Sequence, residues 1–431
     1  MAADGGQGRS ARRPRGRRAQ ILAAAAEQFH RRGYHQVAMA EVAAAVGITA
    51  PALYRHFRGK PELLRQAVRG GLAELAAAVG AAPTVAGLAA ALAVVALDQR
   101  PFATLWQRDA RLLPPAERAA LRRVLRAQVR AAGATVGRER PELAPEQVEL
   151  LVWSALSVAG SLSYHSFAPP RRRFEQLVGQ VLLAVLTAEP GGAADAPAAG
   201  PAADGAAARS GRREELLAAA VRLFDERGFD NVSTDRLGAA VGIAGPSLYK
   251  HFPAKTDLLA AALVRCRERL WHRVAPELLA AGDPAERLAA ALAAYVDFAC
   301  RHHHYLGAMV RESERLADPE RKAALDFRRD FLRLWVELLQ QARPAADKAE
   351  ARIRVHAMFA LVNDGVRNGP WAHGGHLAPR LHRLAHAVLG LAAGPRADAG
   401  GAGPDPGPPL GQRSAGSAVS RPVPGQPAAG T

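Results

Sequence analysis

The chain has 431 residues, with 57 Lys and Arg against 40 Asp and Glu, which gives a formal net charge of +17. That length is too great for one core, since domains usually span about 100 to 200 residues. The charge favours a polyanionic partner over a neutral one, although the solubility of an Arg-rich chain would also explain it. Apolar residues make up 49% of the chain and aromatic residues 5%, with almost no run of alternating β-branched residues. We therefore predict an all-α protein.

The two cysteines, Cys266 and Cys300, show neither a metal-type spacing nor a disulfide framework. We expect them to be small apolar residues in a reducing compartment. No window approaches the roughly 20 apolar residues of a bilayer span, and the N-terminus has no uninterrupted apolar segment. A cytoplasmic location is expected.

Changes in composition divide the chain. A Gly- and Arg-rich arm (1–16), a Pro-, Gly- and Ala-rich linker (188–210) and a Pro-, Gly- and Ser-rich tail (394–431) are predicted to be disordered. The first module comprises 17–187 and the second module 211–393.

The start of the first module recurs in the second. Residues 17–64 align with 212–259 without a gap at a constant offset of 195 positions, and roughly half of the aligned positions are identical, far more than chance allows. One fold unit has been duplicated.

The residue pattern of each copy predicts three helices. The first carries one apolar stripe and ends at Gly33 or Gly228, and the second ends at Gly47 or Gly242, where the chain turns sharply. This pattern is typical of a helix-turn-helix. Thr49 is expected to cap the third helix of the first copy, whereas Ser233 is expected to cap the second helix of the other copy.

Both copies share one run of residue types that begins at the turn glycine and continues through and beyond the third helix: Gly-Ile-x-x-Pro-x-Leu-Tyr-basic-His-Phe-x-x-Lys-x-x-Leu-Leu. This run, preceded by an amphipathic helix that ends in Arg-Gly-aromatic, resembles the DNA-binding domain of the TetR/AcrR transcriptional regulators. The resemblance implies three N-terminal helices that bind operator DNA and a larger helical domain that binds an inducer and dimerises. Family members usually carry one such module and act as homodimers, whereas this chain carries two.

The resemblance also assigns roles to residues. Backbone contacts to DNA are implied for Tyr54, His56 and Lys60 and for Tyr249, His251 and Lys255. Candidate base-reading positions are Ala50, Pro51, Ala52 and Arg55, next to the capping Thr49, and Gly245, Pro246, Ser247 and Lys250 in the second copy. These two sets differ, so the two half-sites need not match. Arg55 is equally suited to a guanine or to a phosphate.

The basic arm is a further candidate DNA contact. Its arginines could enter the minor groove, or they could belong to a solvated tail. They are Arg9, Arg12, Arg13, Arg15, Arg17 and Arg18.

Weaker matches extend the duplication beyond the first three helices. Phe102, Arg108 and Asp109 fall opposite Tyr305, Arg311 and Glu312 at an offset of 203 positions, and Ala155 and Gly160 fall opposite Ala360 and Gly365. The predicted domains are helix-turn-helix units at 17–65 and 211–260, followed by helical regulatory domains at 66–187 and 261–393.

The regulatory domains are expected to hold a pocket for a small apolar inducer. Candidate lining residues are Phe102, Trp106 and Trp153 in the first module and Tyr305, Met309, Trp335 and Met358 in the second. At helical spacing, the same residues are also what a plain core requires.

The sequence offers little for an enzyme or a metal site. His302, His303 and His304 are neighbours on one predicted helix and point in different directions, and His373, His376, His382 and His386 are spread along the chain. No phosphate loop or nucleophile motif is present, so we predict no catalysis, no cofactor and no metal.

These observations predict a ligand-responsive transcriptional repressor with two DNA-binding units in one chain. Its modules are expected to pair as a pseudo-dimer, and pairing between chains stays open. The alternative is a basic protein that binds DNA with low sequence specificity, in an architectural or sequestering role.

Overall fold

The computed structural model describes residues 16–191, 211–368 and 377–391. Every regular element in these ranges is helical, which confirms the predicted all-α class. Most of the predicted arm, linker and tail lies outside the described residues, as do His373 and His376.

The first module contains nine α-helices. The short α6 continues as one π-helical turn and one 3-10 turn, and a second 3-10 turn, Ser161–Tyr164, follows α8. The helices are α1 (Arg17–Arg32), α2 (Met39–Ala45), α3 (Ala50–His56), α4 (Lys60–Gly80), α5 (Val85–Asp98), α6 (Pro101–Thr104), α7 (Pro115–Glu139), α8 (Pro145–Gly160) and α9 (Arg171–Leu186).

The second module repeats this order. Its helices are α10 (Arg212–Arg227), α11 (Thr234–Ala239), α12 (Lys255–Leu279), α13 (Pro284–Arg301), α14 (His303–Glu312), α15 (Asp318–Ala342), α16 (Lys348–Asn368) and α17 (Leu377–Leu389). The helix that begins at the motif lysine of each module, α4 or α12, is long, with 21 and 25 residues. The predicted boundaries at 65/66 and 260/261 therefore fall inside continuous helices.

The third element of the second copy corrects a sequence expectation. Gly245–Lys250 forms a 3-10 helix instead of the predicted α-helix. In the first copy the Thr49 hydroxyl accepts a hydrogen bond from the Ala52 N–H at 3.4 Å, whereas Ala244 offers no such cap. With Gly245 also a weak helix former, this segment takes the tighter turn.

The sharp turns after the second helices follow from glycine. Gly47 has φ 69° and Gly242 has φ 71°, a left-handed conformation that costs a residue with a Cβ about 1 to 2 kcal/mol. The predicted turn glycines are confirmed in both copies.

The two modules pack against each other within the chain. Helix α8 packs along α16, and α9 contacts both α16 and α17. Most buried side chains of these helices are apolar, including Leu151, Val158, Val355 and Val362, each at most 2% exposed. The contact between the modules is therefore largely apolar.

Polar contacts cross the same boundary. The Gln107 amide donates to Asp364 Oδ2 at 2.7 Å, and Arg328 donates to the Tyr164 carbonyl at 2.6 Å. Arg111 forms an ion pair with the buried Glu312 at 2.6 Å. Such directional contacts fix the register in which the apolar faces meet.

Both cysteines are free thiols, Cys266 buried and Cys300 half-buried. Burial raises the pKa of Cys266 to about 12 and that of Cys300 to about 11. Both thiols are therefore protonated at neutral pH, as expected of small apolar residues.

Within the described ranges, no single helix is long and apolar enough to cross a membrane. One pair of helical segments, Val85–Asp98 and Pro101–Leu112, meets the length and apolarity criterion only together, and it bends by 79°.

Two half-buried histidines meet across the module boundary. The ring centroids of His165 and His356 are 4.3 Å apart. Burial, followed by the charge of Arg100, lowers the pKa of His165 to about 4, and burial holds the pKa of His356 well below its ordinary value. Arg328 and Arg352 also face the pair, so both rings are neutral in the folded protein at neutral pH.

This pair predicts acid sensitivity of the contact between the modules. Below the ordinary pKa of about 6.5, the unfolded chain binds protons that the folded chain does not, so stability is complete above pH 6.5 and falls towards pH 4. We expect a loss of about 1 to 3 kcal/mol over that window. Urea unfolding at a series of pH values measures this loss of unfolding free energy. The double variant H165Q/H356Q should lose less stability on acidification, and an unchanged slope would contradict the assignment.

Candidate nucleic-acid interface and ligand cavity

Helix α3 presents a polar face and buries the opposite one. Leu53 and Phe57 are at most 1% exposed, whereas Tyr54 is 52% exposed. Thr49, Pro51 and Arg55 are also exposed, and Ala50, Ala52 and His56 are half-buried beside them. The predicted contact residues from Thr49 to His56 thus share one accessible surface.

The second copy has a similar surface with one exception. Tyr249 is 53% exposed, Pro246 and Lys250 are exposed, and Ser247 and His251 are half-buried. Gly245 is buried, and a Cβ there would clash with the Asp235 carboxylate. Gly245 therefore lies outside the accessible surface.

The caps predicted for α3 and α11 are confirmed. Besides the Thr49 cap, the Ser233 hydroxyl accepts from the Arg236 N–H at 3.2 Å. Where the first copy lacks this serine, the Glu41 carboxylate accepts from the Ala38 N–H at 2.7 Å. That hydrogen bond, followed by one from Arg32, lowers the pKa of Glu41.

The motif lysines point into their own unit. The Lys60 ammonium donates to the Val37 carbonyl at 2.9 Å and lies 4.6 Å from the centre of the Tyr34 ring. Lys255 donates to the Phe229 and Val232 carbonyls at 2.9 and 3.0 Å. Burial lowers the pKa of both lysines. Each holds the loop between the first two helices, and phosphate contact by the remaining N–H stays a prediction.

Two of the six arm arginines are described. Arg17 donates to the Val46 carbonyl at 3.2 Å, and Arg18 donates to the His56 carbonyl at 2.7 Å. Both hold α1 against the helix-turn-helix. Arg9, Arg12, Arg13 and Arg15 lie outside the described residues, so minor-groove binding by the arm stays a prediction.

The regulatory part of the first module encloses a large open cavity. Its volume is about 770 Å³, within the usual range of about 300 to 1,000 Å³ for small-molecule sites. Phe102, Trp106 and Trp153 line it, together with residues of α5, α7 and α8, and α14 and α16 of the second module complete the wall. The three aromatic residues predicted for the first module thus meet at one cavity.

The four residues that were predicted to line a pocket in the second module lie in or beside its packed core. Trp335 and Met358 are fully buried, Tyr305 is 8% exposed, and Met309 is half-buried. The Trp335 ring meets the rings of Tyr295 and Phe359 edge-on, with centroids 6.0 and 5.5 Å apart. This aromatic cluster occupies the space beside Trp335.

Residue size explains this difference between the modules. When equivalent helices are aligned, Leu92, Ala132 and Ser154 of the first module fall opposite Tyr295, Trp335 and Phe359 of the second. Leu92 and Ser154 line the cavity. Because smaller side chains stand at all three positions, the first module keeps a space that the second one fills.

Equivalent arginines connect each regulatory domain to its helix-turn-helix. Arg108 donates to the Phe29 carbonyl at 2.5 Å, at the end of α1. Arg311 donates to the Asp225 carbonyl at 3.1 Å and to its carboxylate, at the end of α10. Arg311 also lines the cavity, so one side chain contacts both the cavity and the end of α10.

Sequence reasoning missed the polar wall of the cavity. Arg118, Arg122 and Arg126 lie on α7 at a spacing of four residues, and Arg111, Asp364 and Arg367 complete this wall. The spacing was visible in the sequence, but it is equally typical of a solvated helix face.

The candidate histidine cluster does not form a metal site. His304 Nδ1 lies 2.9 Å from the Asp225 carboxylate. Within the part of the chain that the structure describes, no group of three or more His, Cys, Asp or Glu side chains is arranged to hold a metal ion.

Comparisons with known proteins agree with the duplicated architecture. The model of bacterial regulatory proteins of the tetR family matches residues 21–67 and 216–262. The model of the tetracyclin repressor-like C-terminal domain matches residues 281–366.

Individual relatives match one part of the chain each. The chain is 32% identical over 112 residues to the HTH-type transcriptional activator FasR of Mycolicibacterium smegmatis. This match covers 26% of this chain and 51% of FasR. The chain is also 30% identical over 142 residues to the HTH-type transcriptional repressor KstR2 of Rhodococcus jostii. This match covers 32% of this chain and 69% of that protein. The chain thus spans about half the length of FasR. The solved structure of the ketosteroid transcriptional regulator KstR2 of Mycobacterium tuberculosis is 26% identical, with a TM-score of 0.38, and covers 42% of this chain and 94% of that one.

The internal hydrogen bonds of Lys60 predict a role in stability. K60M removes the donor for the Val37 carbonyl and should lower the free energy of unfolding by about 1 to 2 kcal/mol. R55M changes an exposed side chain of the same unit and should alter it by less than about 0.5 kcal/mol. Chemical denaturation of both variants makes the comparison. Equal stability of K60M and wild type would show that this lysine does not hold the loop.

Proposed function

Since the chain belongs to the TetR family of bacterial regulatory proteins, whose members are DNA-binding transcriptional regulators and not enzymes, we propose that it is an effector-responsive repressor with two DNA-binding heads in one chain. The heads are residues 17–65 and 211–260, and the regulatory domains are 66–187 and 261–393. The observation that carries this proposal is the packing of α8 and α9 against α16 and α17. That contact joins two modules of one polypeptide and leaves both recognition faces exposed.

Each head has the chemistry of a major-groove contact. Tyr54 and Tyr249 supply exposed hydroxyls for phosphate oxygens, and the half-buried His56 and His251 lie beside them. Arg55 is suited to a bidentate contact with a guanine edge, worth about 1 to 3 kcal/mol of discrimination. The candidate base-reading residues around Arg55 differ from those around Lys250. This difference favours an operator with unequal halves.

Effector control is proposed to act through the spacing of the heads. Recognition helices that enter successive major grooves must lie about 34 to 36 Å apart. The cavity wall includes residues of α7, α14 and α16, and Arg108 and Arg311 connect the regulatory domains to α1 and α10. An effector that shifts this wall moves the heads relative to each other and releases the operator.

Footprinting on the DNA upstream of the protein's own gene tests the assignment of the two heads. R55A should remove protection from one half of the site and K250A from the other, because each variant disables one recognition surface. R333A is the matched control, since it also removes one exposed positive charge, but Arg333 lies on α15 and pairs with Asp330 and Glu337. It should leave the footprint intact at the same salt concentration.

Two outcomes would contradict the proposal. Equal weakening of both halves by each single variant would mean that the heads do not divide the site between them. Protection that spreads over any DNA and disappears with added salt would favour the alternative, a basic DNA-binding protein of low sequence specificity.

A further inference from the structure

The cavity of the first module has two chemically different walls. Apolar side chains line one part of it, including Leu92, Phe102, Trp106 and Trp153. Arg118, Arg122 and Arg126 of α7 line another part and follow one another by one helical turn. A ligand that matches both walls needs an apolar body and a negatively charged end.

The equivalent helix of the second module provides an internal comparison. In α15, Arg321 pairs with Asp318, and Arg329 pairs with Asp326 at 3.1 Å and with Asp330 at 3.6 Å. These pairs neutralise the arginines locally, as is usual on a solvated face.

The first module lacks these counter-charges. The positions of Asp318, Asp326 and Asp330 are occupied by Pro115, Arg123 and Ala127. Across the described residues, no ion pair joins Arg118, Arg122 or Arg126 to a carboxylate. Partial burial, followed by the charges of Arg118 and Arg126, lowers the pKa of Arg122. An anion placed here would relieve the mutual repulsion of the three guanidinium groups.

Acidic side chains at the cavity are mostly engaged elsewhere. Asp225 accepts from Arg311 and contacts His304, and Asp364 accepts from Gln107. Glu149 accepts from the Trp153 indole at 3.2 Å. Among the lining residues, the exposed Glu226 is a carboxylate of α10 that acts electrostatically on His304. The α7 side of the cavity therefore carries the positive charge.

We propose that this cavity binds one amphipathic anion per chain, with its carboxylate or phosphate group against Arg118, Arg122 and Arg126 and its apolar body among Phe102, Trp106 and Trp153. The inference rests on the proposed function, since it names the class of the effector. It replaces the purely apolar inducer expected from the sequence. One site per chain follows because Tyr295, Trp335 and Phe359 fill the equivalent space of the second module.

Calorimetric titration of the full chain tests the class of ligand. Dodecanoate and dodecyl phosphate are the anionic probes, and dodecanol and dodecyltrimethylammonium are neutral and cationic probes of equal chain length, all used below micelle formation. Binding of one or both anions at one per chain, about tenfold tighter than that of the other two probes, supports the proposal. The anion that binds identifies the head group. Equal affinity for dodecanol, or two sites per chain, would overturn it.

Variants locate the site. R122L introduces the residue that α15 carries at the matching position, Leu325, and should weaken anion binding at least about fivefold while leaving dodecanol binding unchanged. R329L is the matched control on α15 and should change neither. S154F introduces the ring of Phe359 and should abolish binding of every probe. Circular dichroism and thermal melting show whether each variant is folded. An R122L variant that is folded and binds the anions as tightly as the wild type would refute the site.

Footprinting separates this inference from the proposed function. Anion binding that depends on Arg122 but leaves a bounded footprint unchanged would keep the site and reject effector control. A bounded footprint in a protein that binds no anion would keep the DNA-binding regulator and reject the site.

Discussion

The apolar contact of α8 and α9 with α16 and α17 holds the two modules together. These helices carry buried branched side chains at helical spacing, so separating the modules would expose a continuous apolar layer. Polar contacts such as Gln107 with Asp364 and Arg328 with the Tyr164 carbonyl add a fixed register. Because α1 and α10 are joined to the regulatory helices through Arg108 and Arg311, this register also determines how far apart the DNA-binding heads lie.

Duplication has left two modules with the same helices and different interiors. The second module fills its centre with Tyr295, Trp335 and Phe359, whereas the first carries smaller, non-aromatic residues at the equivalent positions and keeps a cavity. A ring-filled core is rigid and stable, while an open cavity gives up packing energy. The first module is thus suited to respond to a ligand, and the second is suited to hold its partner in place.

Much of the fold could be predicted from the sequence because it depends on residues close in the chain. The turn glycines, the caps at Thr49 and Ser233 and the buried faces of the first helices follow from local patterns. The inward orientation of Lys60 could not be predicted, since it depends on a carbonyl 23 positions away. The cavity was equally hidden: Phe102 and Trp153 suit a core or a pocket, and only the small residues on other helices decide between them. The 3-10 form of Gly245–Lys250 reflects a missing cap in an otherwise matching motif.

The central claim is that one polypeptide is the complete two-headed unit. Sedimentation equilibrium of the chain, free and with a duplex that contains its footprinted site, measures this directly. One chain of 45.5 kDa alone, and one chain per duplex in the complex, is the predicted result. Two chains per duplex, each using one head, would contradict it and would mean that pairing occurs between chains.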